Sequence, residues 1–192
     1  VASELAFGLR GAPAVRVEID DGALTMRGSA DRVDETRSGT LVVTDFKTGR
    51  SDSFKKISTD PVVGGTKLQL PLYAYAARAA YGKEQVEARY WFVGRRNRGD
   101  VVPVLLDESL EKVYRTALST LVRGIREGQF IARPPKDDWS QVKPRCSYCN
   151  PDGVGYGHVR SASARKQTDA ALADLFALID PTIHEVASDD VD

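Results

Sequence analysis

Asp45 and Lys47 stand two residues apart in Leu41–Lys47, a run rich in β-branched residues that reads as a strand. Side chains along a strand alternate between faces, so these two project the same way and Phe46 the other. Asp31 closes the segment Gly28-Ser29-Ala30-Asp31, and an antiparallel turn about residues 36–38 brings it toward Asp45. Two carboxylates and a main-chain carbonyl, such as that of Phe46, are hard oxygen ligands suited to Mg²⁺ or Mn²⁺. A cation held there polarises a phosphate and lowers the pKa of a water. Lys47 can orient that water and balance charge developing on the phosphate. Phosphodiester hydrolysis asks for these parts. The plainer alternative is an ion pair on a solvated strand face. Val42 and Val43 weigh against it, because a charge entering an apolar strand needs a partner or a task.

A second constellation is Gln69 and Tyr73, four apart and therefore on one face of a helix. Gln69 can donate to a phosphate, and Tyr73 can bond a phosphate or brace the site; the alternative is a tyrosine at the edge of the core. Lys55, Lys56, Arg95, Arg96 and Arg98 are candidates to follow a phosphate backbone, or else solvated charges. Cys146 and Cys149 form a Cys-x-x-Cys pair that with His158 offers three zinc ligands, the alternative being two reduced thiols in a loop. His184 is given no role.

The elements that must position these residues follow from the pattern. Residues 14–19 alternate Val15, Val17 and Ile19 with polar neighbours, the period of a half-buried strand, and Asp20-Asp21-Gly22 is a turn. Residues 23–34 read as a second strand and Leu41–Lys47 as a third, predicting an antiparallel meander. Residues 50–65 read as a loop and 67–81 as a helix, with Pro71 tolerated in the first turn and Gly82 as its stop. A strand over 86–93 and another over 101–106 flank a basic turn. Asp107 caps a long helix whose apolar stripe runs from Leu110 to Ile125 and which ends at Gly128. A last amphipathic helix is expected over 164–179.

Gly28-x-x-Asp31-Arg32-Val33-Asp34, then Asp45-x-Lys47-Thr48-Gly49, then Gln69-x-x-x-Tyr73, in this order, resembles the RecB-like branch of the PD-(D/E)XK nuclease superfamily. The resemblance implies an α/β fold, a mixed central sheet flanked by helices, and Mg²⁺ or Mn²⁺ as cofactor. It implies that Asp31, Asp45 and the Phe46 carbonyl hold the metal, that Lys47 is the catalytic lysine, and that Gln69 and Tyr73 serve DNA and site geometry. It further implies a metal-dependent deoxyribonuclease, an exonuclease, either free-standing or the nuclease part of a helicase–nuclease acting on DNA ends in repair. The rival is a catalytically silent module that holds DNA or a partner on the same fold. Many relatives carry an upstream acidic or His ligand; here Glu4 alone precedes residue 14 as a candidate, or the ligand lies before Val1. Relatives with an iron–sulfur cluster use four cysteines, and this chain has two.

The 192 residues carry 27 basic and 27 acidic groups, a net charge of zero, so any DNA contact must come from a local basic path. An apolar share of 42% suffices for a core. No apolar run nears the roughly 18 residues of a membrane span, and there is no secretory signal. Two cysteines are too few for a disulfide framework, which points to a reducing cytoplasm. A start at Val1 rather than Met fits a fragment or a processed chain. The expected organisation is a nuclease core over 1–135, with its N-terminal helix expected before Val1; a Cys-x-x-Cys loop and helix over 136–180 packed on it; and a disordered acidic tail over 181–192.

Overall fold

The computed structural model describes residues 1–96, 98–131 and 157–179, and the chain divides into two compact units, Val1–Leu121 and Val122–Asp192. The first unit is mixed α/β. Its main sheet has four strands in the order β5 (Arg32–Glu35), β6 (Leu41–Lys47), β7 (Val86–Phe92) and β8 (Val101–Leu105). β6 runs parallel to β7 and the other two pairings are antiparallel. A parallel neighbour requires a crossover, and helix α1 (Gln69–Tyr81) supplies it.

The single long strand expected over 23–34 is instead three pieces, each with its own partner. β3 (Gly22–Met26) forms a hairpin with β2 (Val15–Ile19), β4 (Gly28–Ala30) pairs with β1 (Leu5–Phe7), and only β5 joins β6. The expected meander is therefore a separate hairpin followed by a strand of the main sheet. A Cβ at Gly28 would sit 2.8 Å from Cζ of Phe7, so the missing side chain makes room for that ring against β4. Residues 50–65 are not wholly loop, since Asp52–Ser58 forms a 3₁₀ helix that buries Ile57.

α1 buries Leu70, Tyr73, Ala74, Ala76 and Ala77, and its small residues allow close approach to the sheet. Pro71 falls in the first turn, where its missing N–H costs no helix bond. Gly82 ends the helix in the left-handed conformation, φ 63°, with its N–H on the Arg78 carbonyl. Asp107 caps α2 (Glu108–Arg126) by accepting from the Leu110 N–H at 2.8 Å. Leu110, Tyr114, Ala117 and Leu118 are buried, whereas Ile125, assigned above to the same stripe, is exposed.

Arg78 and Tyr75 of α1 both reach Glu111 of α2, the guanidinium at 2.5 Å and the hydroxyl at 3.1 Å. Arg78 beside it holds the Glu111 carboxyl below its ordinary value near 4.5 against the opposing effect of burial. A depressed carboxylate stabilises the fold fully above that ordinary value, and the contribution is lost as pH falls through the folded-state pKa. Glu111→Gln is therefore expected to cost about 1–2 kcal/mol at pH 7, with the gap to wild type closing below about pH 4. Thermal melts of both proteins across pH 3–8 measure this; a pH-independent gap would assign the loss to packing.

In the second unit the helix expected over 164–179 is broken in two. α3 (Gly157–Lys166) and α4 (Ala173–Ile179) are separated by a turn and the short 3₁₀ segment Ala170–Leu172. Asp169 causes the break: its backbone is extended and its side chain accepts from the Ala171 N–H at 3.0 Å, so it restarts the helix instead of continuing it. Arg123 pairs with Asp174, and the Gln129 carboxamide donates to the Ala171 carbonyl. Cys146, Cys149 and the tail 181–192 lie outside the described residues, and the side chain of His158 is not described. No helix among the described residues is long and apolar enough to cross a membrane.

Candidate metal and phosphate site

The site forms where β5 and β6 meet the start of α1. A turn closed by the Thr36 N–H on the Thr40 carbonyl sets the antiparallel register, in which Arg32 faces Thr44. One step further, that register places Asp31 across from Asp45. Asp31 is exposed, and its Oδ2 accepts a hydrogen bond from the Phe46 peptide N–H at 2.8 Å. It also lines an open cleft of about 500 Å³ with Arg32, Asp34, Phe46 and residues 1–3.

Asp45 lies differently, only 5% exposed on the covered face of the sheet. The Lys47 ammonium is 2.6 Å from its Oδ2. No other group of the described residues reaches that buried oxygen. The contact is thus an ion pair, and a cation bound to this carboxylate would compete with the ammonium for that oxygen. Lys47 also donates to Gln69 Oε1 at 3.2 Å, while Gln69 Nε2 donates to the Tyr73 hydroxyl at 2.6 Å. Burial, and next the Asp45 carboxylate, push the Tyr73 hydroxyl up to about 12, so it remains a proton donor at neutral pH. Asp45, Lys47, Gln69 and Tyr73 thus form one connected cluster, with Asp31 at its rim. The Phe46 ring turns to the opposite face against Trp91, centroids 5.8 Å apart.

Gly28 acts here at one remove. The Phe7 ring that it accommodates meets Tyr73 edge-on, with centroids 6.2 Å apart, so the first glycine of the motif supports the last tyrosine. Gly94 performs a similar service for the strand end, since a Cβ there would overlap the Thr48 carbonyl oxygen just beyond Lys47.

Glu4 does not join the cluster. It accepts from the Ser29 hydroxyl at 2.8 Å and pairs with Arg10 at 3.0 Å. Among the described residues no three His, Cys, Asp or Glu side chains come together as a metal cage. Lys55 is paired with Asp52 and Lys56 is exposed, as are Arg95, Arg96 and Arg98 between β7 and β8.

Tyr90 is the residue that sequence reasoning missed. It is the register partner of Asp45 across the parallel pair β6–β7, and its hydroxyl donates to Gln69 Oε1 at 3.0 Å. Phe54, from the 3₁₀ helix, packs edge-on against it at 4.9 Å. The available signal was the alternation of Val86, Ala88, Tyr90 and Phe92, which puts Tyr90 on the buried face but says nothing of its neighbour across the sheet.

A family model described as the PD-(D/E)XK nuclease superfamily matches residues 1–153. No curated protein matches the chain. A solved structure described as "Crystal structure of SSO0001" is similar at 17% identity, covering 79% of this chain and 57% of that one, with a TM-score of 0.33. The chain thus spans little more than half the length of that structure.

Proposed function

We propose, on the premise that this chain belongs to the PD-(D/E)XK nuclease superfamily, that it hydrolyses DNA phosphodiester bonds with a divalent cation and falls in the RecB-like branch. The observation that carries the reading is the buried Asp45 Oδ2, whose one close partner is the Lys47 ammonium at 2.6 Å, with the Asp31 carboxylate held nearby on the Phe46 N–H. Asp31, Asp45 and the Phe46 carbonyl would hold Mg²⁺ or Mn²⁺, all hard oxygen donors suited to such ions. When bound, the cation supplies Lewis-acid polarisation of the phosphate and a more acidic water.

The chain's own residues supply the rest. Lys47 presents an ammonium whose three protons can be shared among Asp45, Gln69 and an incoming phosphate oxygen. Gln69 fixes the direction in which that ammonium points, and Tyr73 offers a hydroxyl proton beside Asp45. Residues Lys55, Lys56, Arg95, Arg96 and Arg98 are exposed cations available to the DNA backbone. The biological setting we favour is an exonuclease at DNA ends, alone or joined to a helicase.

Digestion of end-labelled linear and covalently closed circular DNA tests this. Linear DNA is expected to be consumed with Mg²⁺ or Mn²⁺, circular DNA to persist, and EDTA to stop cleavage. Cleavage indifferent to EDTA would overturn the metal reading, cutting of the circle would overturn the exonuclease reading, and no cleavage with either ion would favour the silent module.

A further inference from the structure

We infer that Tyr90 is a positioning residue that fixes the orientation of both the Lys47 ammonium and the Gln69 carboxamide. This rests on the function proposed above. Tyr90 touches the two groups with different parts of its side chain. Its ring lies under the Lys47 ammonium, 4.9 Å from nitrogen to centroid, and its hydroxyl is 3.0 Å from Gln69 Oε1. A cation over an aromatic face is held by the ring's quadrupole, and more strongly where water is scarce. Tyr90 is 2% exposed, so water competes little.

The hydrogen-bond inventory makes the arrangement directional. Lys47 has only donors to offer, so the end of the Gln69 amide that faces it must be oxygen. Gln69 Oε1 then already accepts from Lys47, and Tyr90 must donate to it as well. The amide nitrogen is thereby turned to Tyr73, where it donates at 2.6 Å. Burial, with the Asp45 carboxylate second, raises the Tyr90 hydroxyl above its ordinary range, which keeps its donor proton in place. Phe54 packs edge-on to both Tyr90 and Phe92. A residue that only filled space would need none of these polar contacts.

Tyr90→Phe keeps the ring and removes the hydroxyl, while Tyr90→Leu removes both. The expected result is a fall in kcat of about tenfold for Tyr90→Phe and about a hundredfold for Tyr90→Leu, with KM nearly unchanged. A second measurement uses the protein alone: the rate at which a water-soluble amine acylating reagent labels Lys47, read by mass spectrometry. Labelling is expected to accelerate in Tyr90→Leu, because the ammonium is no longer held against the ring. Unchanged kcat in folded Tyr90→Phe, or losses that appear only in KM, would overturn the inference. So would an unchanged labelling rate in folded Tyr90→Leu. If Tyr90→Leu does not fold, the kcat of Tyr90→Phe decides. If the wild type cleaves nothing while labelling still accelerates in the variant, the nuclease reading falls and the placement of Lys47 by Tyr90 stands.

Discussion

Asp45→Ala is expected to lower DNA cleavage by on the order of a thousandfold or more while the protein stays folded. The reason lies in how the carboxylate is held. It is buried, and the Lys47 ammonium is the one close partner of its Oδ2. A carboxylate in that state is costly to desolvate, and the ion pair repays only part of the cost. Its removal takes away the least exposed of the proposed cation ligands and leaves little stability to lose. Lys47 is 28% exposed and can turn toward water, so no charge is stranded. The expected melting temperature is within a few degrees of wild type. Asp45→Asn keeps the shape and separates charge from packing: it should lose activity as Asp45→Ala does. A folded Asp45→Ala protein that cleaves at near wild-type rate would remove Asp45 from the chemistry.

What could be read in the sequence was the local part of this site. Asp45 and Lys47 share a face because strand geometry demands it, and the turn at 36–40 is short enough for its register to bring Asp31, just before β5, onto the Phe46 N–H. Gln69 and Tyr73 share a face by helical geometry, and their mutual hydrogen bond follows from it. The contact between the two pairs, Lys47 to Gln69, is non-local, and so is the alignment of Tyr90 with Asp45, which depends on a parallel register set after the chain has crossed through α1. No turn length specifies such a register. The same limit explains the strand over 23–34: its residues all have extended preferences, but each piece pairs with a different strand, and pairing is not a property of the segment. At Asp169 the error was local. An aspartate inside an amphipathic pattern reads as helix interior, whereas its side chain competes for the backbone and caps a new start.

Lys47→Ala tests the other half of the ion pair, and its signature should differ in kind from that of Asp45→Ala. Cleavage is expected to fall by about a hundred- to a thousandfold, the range seen when one preorganised donor to a developing charge is removed. Metal binding should move the opposite way. An ammonium is not a ligand for a cation, and 2.6 Å from Asp45 Oδ2 it occupies the space and the charge that a divalent ion would use. Without it, Asp45 keeps its carboxylate and loses its competitor, so Mn²⁺ should bind at least as tightly as to wild type. Titration calorimetry on the folded variant measures this, with Asp45→Ala as the counterpart in which binding weakens. Lys47→Arg is a further control: a planar guanidinium cannot sit as a point charge between Asp45, Gln69 Oε1 and the Tyr90 ring, so restoring the positive charge alone should recover little activity. Loss of Mn²⁺ binding together with activity in folded Lys47→Ala would mean that the lysine organises the metal site itself, and the role given to it here would be wrong.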